Sequence, residues 1–146
     1  MTIFKTEVRV RYAETDSARV VHYSAFFLYF EVGRMEMWRK LGLPYFEQLP
    51  IVETYCRYLA PVKFDDLLEI HSFVVELRSK GFRIGHRVYL KDSGTLVAEG
   101  YTSFVTVGKD RKPTPVFEEF QRKFTEHLEK GATVPMASTG KADRTL

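Results

Sequence analysis

Residues 12–38 read YAETDSARVVHYSAFFLYFEVGRMEMW. A polar half carrying Glu14, Asp16 and His22 runs without a break into a half dense in aromatics. Ser24 suits the N-cap of a helix that continues to about Leu41, where Gly42 and Pro44 supply a stop. Phe26, Phe27, Phe30, Gly33, Met37 and Leu41 recur at helical spacing, interrupted by Glu31, Arg34, Glu36, Arg39 and Lys40. The apolar side is broad, so most of the helix must be covered by other elements. Gly33 in its interior costs about 1 kcal/mol relative to Ala, which close packing can offset.

The cover is legible on both sides. Upstream, residues 3–11 alternate Phe4, Thr6, Val8 and Val10 with Lys5, Glu7, Arg9 and Arg11, the pattern of a half-buried strand. Downstream, residues 51–59, 67–77, 82–90 and 96–107 are strand-like. FRIGHRVYL places Phe82, Ile84, His86, Val88 and Leu90 on one face. KDSGT and SKG turn the chain between the last three runs. DRKPTP ends the last strand, and residues 116–130 suit a short C-terminal helix. One strand, one long helix and four further strands predict an α+β fold, a five-stranded antiparallel sheet wrapped around the helix. Its two free edges would be protected by pairing in a homo-oligomer.

With 146 residues the chain has room for one sizeable core, predicted to span residues 1–130, with a loose tail over 131–146. A hydrophobic content of 45% excludes a disordered chain. No apolar run approaches a membrane span or a signal peptide, which favours a soluble protein. A single cysteine, Cys56, excludes an internal disulfide framework and fits a reducing cytoplasm; no metal site or cofactor is expected. The net charge of +3 is compatible with a polyanionic small ligand, and no nucleic-acid signature accompanies it.

The start of the long helix is the place for chemistry. A helix N-terminus presents free N–H groups and partial positive charge, so it can polarise a carbonyl. Asp16, a few residues upstream, can fold back over it as a base or nucleophile. Phe26 and Phe27 can exclude water around an acyl group. The same residues also suit a plain turn, a structural histidine and an aromatic core.

Those residues carry a resemblance. Arg9-Val10-Arg11-Tyr12, Asp16, Val20-Val21, His22-Tyr23 and Phe30-Glu31 with Arg34 resemble the opening of the 4-hydroxybenzoyl-CoA thioesterase-like proteins, which have the hotdog fold. YLAPVKFDDLLEI, residues 58–70, resembles their next segment. The resemblance implies hydrolysis of acyl-CoA between two subunits of a dimer or a dimer-of-dimers tetramer. It implies Asp16 as the catalytic carboxylate, the Tyr23 backbone N–H as the group polarising the thioester carbonyl, and His22 in the same site. Phe26, Phe27 and Tyr58 are candidate substrate contacts, and Arg19 is either a further one or the mark of a different loop path. The family has Gly near position 18 or 19, where this chain has Ala18-Arg19. Lys63, Lys80, Arg83 and Arg87 are candidates for the CoA phosphates, Lys80 and Arg83 foremost because they flank a turn. An acyl-carrier-protein thioester, a dehydratase or hydratase, and a non-catalytic acyl-binding module are the competing readings.

Overall fold

The computed structural model describes residues 2–44 and 49–128. Strand β1 (Phe4–Arg9) is followed by a single 3-10 turn (Tyr12–Glu14) and helix α1 (Ala25–Leu41). Strands β2 (Ile51–Tyr58), β3 (Leu67–Leu77), β4 (Gly81–Leu90) and β5 (Leu96–Val105) follow, and helix α2 (Glu118–His127) closes the sequence of elements. The strands form one antiparallel sheet in the order β1-β3-β4-β5-β2. This is the predicted α+β architecture. The predicted first and last strands were each too long, and α2 begins two residues later than expected. The expectation for the tail falls outside the described residues.

Helix α1 stops where the sequence said it would. Gly42 adopts φ 70°, the left-handed conformation that only glycine takes without penalty, and its N–H reaches back to the Arg39 carbonyl. The helix lies across one face of the sheet. Phe30, fully buried, stacks on the His86 ring at 4.5 Å between centroids. Gly33 permits the approach: a Cβ there would lie only 2.8 Å from Ile70 Cγ2. At the far end of the helix, Trp38 meets Phe82, Phe104, Phe120 and Phe124, so α2 seals that end of the core with two buried rings.

Strand β4 is buried on both faces, more than its clean alternation implied. On the side away from α1, the rings of Phe73 and Tyr101 flank Gly85, and the guanidinium groups of Arg87 and Arg83 lie over them at 4.9 and 4.1 Å. Cationic side chains thus cover aromatic surface that would otherwise face water.

Candidate active site

The loop between β1 and α1 is tightly folded. Asp16 N–H donates to the Val20 carbonyl and Arg19 N–H to the Asp16 carbonyl, both at 2.9 Å. The Asp16 side chain accepts the Ala18 N–H through Oδ1 at 2.8 Å, the local bond that makes Asp favourable in turns. Arg19 sits at φ 65°. The chain therefore turns at this position with the left-handed backbone that glycine would supply, and the arginine bears the strain. Strand-like bridges Thr15–Val21 and Val20–Lys63 hold the loop against the segment after β2.

Between these two segments lies a cleft of about 420 Å³, lined by Asp16, Val20, Tyr23, Phe26, Tyr58 and Val62 among others. Its walls are mostly apolar around one carboxylate, the surroundings in which a carboxylate can act on a bound acyl group.

The backbone at the helix start is almost fully used. Val21 N–H donates to the Val62 carbonyl, His22 N–H to the Glu14 carbonyl, and Ser24 N–H to His22 Nδ1. Among the described residues the Tyr23 N–H alone in this run has no acceptor. The Tyr23 carbonyl accepts the Tyr58 hydroxyl at 2.8 Å, and the Tyr23 side chain is 65% exposed. Burial, aided by Cys56 and Tyr23 nearby, pushes the Tyr58 phenol up to about 12, so it stays a proton donor at neutral pH. Cys56 itself is pushed up to about 12 by burial, the mark of an inert thiol.

Several predicted residues are placed elsewhere. His22 does not line the cleft of Asp16. Its ring packs on Tyr23 at 4.2 Å, its Nδ1 meets Ser24 Oγ at 2.6 Å, and it faces a second cavity of about 310 Å³ on the other side of the loop. Ser24 stands at the N-cap position but spends its hydroxyl on His22, with no side-chain cap bond. Phe27 packs edge-on against Phe30 as part of the core. Phe26 and Tyr58 do line the cleft and meet each other edge-to-face at 5.3 Å.

Of the cations, Lys63 is exposed at the rim of the cleft, one residue from Val62. Arg83 is corrected outright: it is 1% exposed, donates to Ser103 Oγ at 2.7 Å and pairs with Glu53 at 3.1 Å. Its charge is consumed within the sheet. Lys80 is exposed, but the β3–β4 turn that carries it pairs with Val105 and Thr106. The cleft adjoins the opposite end of β5, near Ala98. The length of a ten-residue strand, roughly 30 Å, separates the two within one chain.

Glu14 is the residue the sequence reading left without a role. Its side chain is nearly buried and accepts from the Tyr29 hydroxyl, from Arg11 N–H and from Arg11 Nε, at 2.8, 2.9 and 2.8 Å. Burial opposes its charge, but these bonds prevail and hold its carboxyl below the usual range. The opposite charges of Arg11 and Glu14, three residues apart, were the available signal.

Residues 10–124 match the family model of the thioesterase-like superfamily. The chain belongs to that superfamily. A protein of Aquifex aeolicus is 33% identical over 107 residues, 69% of this chain and 84% of its own length. The acyl-CoA thioester hydrolase YbgC of Escherichia coli O157:H7 is 28% identical over 115 residues, 73% of this chain and 83% of that protein. Among solved structures, a 1,4-dihydroxy-2-naphthoyl-CoA thioesterase from Synechocystis superposes with a TM-score of 0.80 at 21% identity, over 86% of this chain and 97% of that one. This superfamily member thus has the hotdog fold expected from its opening motif.

Proposed function

We propose that this chain hydrolyses acyl-CoA thioesters to a carboxylic acid and free CoA. The observation that carries the reading is the pairing, at one apolar cleft, of the Asp16 carboxylate with the unpartnered Tyr23 N–H. The thioester carbonyl oxygen accepts the Tyr23 N–H, and the partial positive charge of the 17-residue helix α1 adds to its polarisation. Asp16 removes a proton from water as the water oxygen bonds to the carbonyl carbon. The tetrahedral oxyanion re-forms the carbonyl and expels the CoA thiolate, which takes up the proton to leave as the thiol. Direct attack by Asp16, through a mixed anhydride that water then cleaves, uses the same two groups.

Phe26 and Tyr58 shield the acyl chain, and Lys63 at the rim accompanies the CoA phosphates. The family name and that of YbgC support the acyl-CoA class. A dimer whose second subunit completes the open cleft fits the exposed edge strand β2 beside it. The test is thiol release from a panel of acyl-CoAs by wild type and Asp16→Asn. The substitution is expected to lower turnover by about 10²-fold or more with acyl-CoA binding retained. Turnover that survives it would remove Asp16 from the mechanism.

A further inference from the structure

We infer that Glu14 is the positioning residue of this site, the anchor that fixes the His22–Tyr23 turn and with it the direction of the Tyr23 N–H. The inference rests on the proposed thioester chemistry for its purpose, but its geometry stands alone. Glu14 ties together the segment after β1, the His22–Tyr23 turn and helix α1. Its Oε2 takes Arg11 Nε, two residues past the end of β1, its Oε1 takes the Tyr29 hydroxyl from the second turn of α1, and its backbone carbonyl takes the His22 N–H.

From there the contacts close into a ring. The Tyr29 ring meets Phe26 edge-on at 5.6 Å, Phe26 meets Tyr58 at 5.3 Å, and the Tyr58 hydroxyl returns to the Tyr23 carbonyl. The His22–Tyr23 turn is therefore held from both sides, by Glu14 through the His22 N–H and by Tyr58 through the Tyr23 carbonyl. Three of the four residues in the circuit outside the turn, Glu14, Tyr29 and Phe26, are buried, so the ring has little room to relax when one member is removed. Glu14 contacts no reacting atom in this arrangement. It faces the second cavity with His22, across the loop from Asp16.

The experiment compares wild type, Glu14→Ala, Glu14→Gln, Tyr29→Phe and the Glu14→Ala/Tyr29→Phe pair by acyl-CoA hydrolysis and by amide hydrogen exchange of residues 20–25. Expected for Glu14→Ala is a fall in kcat of about tenfold or more with KM within about twofold, because a displaced donor weakens the transition state more than the ground state. Exchange of the His22 N–H, which the Glu14 carbonyl accepts, quickens in parallel. Glu14→Gln, which keeps an acceptor for Tyr29, recovers part of both. Tyr29→Phe gives a smaller loss that does not add in the double variant. A folded Glu14→Ala protein with wild-type kcat and wild-type exchange overturns the inference. So does additive loss in the pair. If Glu14→Ala fails to fold, Glu14→Gln and Tyr29→Phe decide the matter by the same two readouts. Should wild type hydrolyse no acyl thioester, the proposed function falls, and the exchange data still test whether Glu14 holds the turn.

Discussion

The Tyr58 hydroxyl donates to the backbone carbonyl of Tyr23 at 2.8 Å, so the last residue of an edge strand fixes the turn that opens the central helix. Tyr58→Phe keeps the ring contact with Phe26 and removes this bond together with the hydroxyl's contact with Cys56. It should lower kcat severalfold while changing stability by about 0.5–1.5 kcal/mol. Steady-state kinetics beside a urea titration would separate the two effects. An unchanged kcat would mean that the turn holds its shape without Tyr58.

Arg19 at φ 65° occupies a backbone conformation that costs a non-glycine residue about 1–2 kcal/mol. Glycine removes that strain but gives the unfolded chain about 0.5–1 kcal/mol more freedom. Arg19→Gly should therefore stabilise the fold by about 0.5–1 kcal/mol, read as a rise in Tm. Hydrolysis measured on the same variant tests Arg19 as a substrate contact: KM for acyl-CoA should rise if the guanidinium meets the substrate, and stay constant if it does not.

Gly33 lies where α1 approaches the sheet most closely, against Ser72 and Ile70. Gly33→Ala gains helix propensity of about 1 kcal/mol but forces the helix off β3, an overpacking cost of about 1–3 kcal/mol or more. Net destabilisation is the expected outcome of chemical denaturation. Phe30→Ala should lose about 3–5 kcal/mol, because the buried ring leaves a void over His86.

His86 is buried in the core, and burial, with a smaller contribution from Arg34, holds its pKa well below 6.5. The sign follows from proton counting. Below pH 6.5 the unfolded chain binds a proton that the folded chain refuses, so stability is fully present above that pH and declines as the pH falls further. The slope approaches about 1.4 kcal/mol per pH unit. Glu14 and Glu69 have pKa values lowered from 4.5, so their losses come at more acidic pH. Unfolding free energies between pH 7 and 5 should show this slope in wild type and a flatter one in His86→Gln. Equal slopes would assign the pH dependence to other groups.

Features set by local chemistry were legible in the sequence. Gly42 ends α1 because a left-handed residue is needed there, and the KDSGT turn places β5 beside β4. That Asp16 and Tyr23 would line one cleft was legible because a turn and a helix start are neighbours along the chain. Arg83 was misread because its partners Ser103, Tyr101 and Glu53 lie 18 to 30 residues away and meet it only through strand register. Lys80 stood in a correctly recognised turn, but which end of the sheet that turn occupies depends on the same register. The role of Glu14 was hidden in a hydrogen bond to Tyr29, 15 residues on, and His22 turned away because Ser24 claimed its ring nitrogen.

The strand order has a consequence for how the chain acquires its activity. The β3–β4 and β4–β5 pairs join sequence neighbours, whereas β1 reaches β3 across α1 and β2, and β2 reaches β5 past two strands. Contacts distant in sequence pay for loop closure before they contribute, and they form late. The loop bearing Asp16 follows β1, and the wall bearing Tyr58 and Val62 is the end of β2 and the segment after it, so the cleft exists only once both outer strands have docked. In a refolding experiment, burial of Trp38 against Phe82 and α2 should precede recovery of hydrolysis, and an Asp16-side probe should report last.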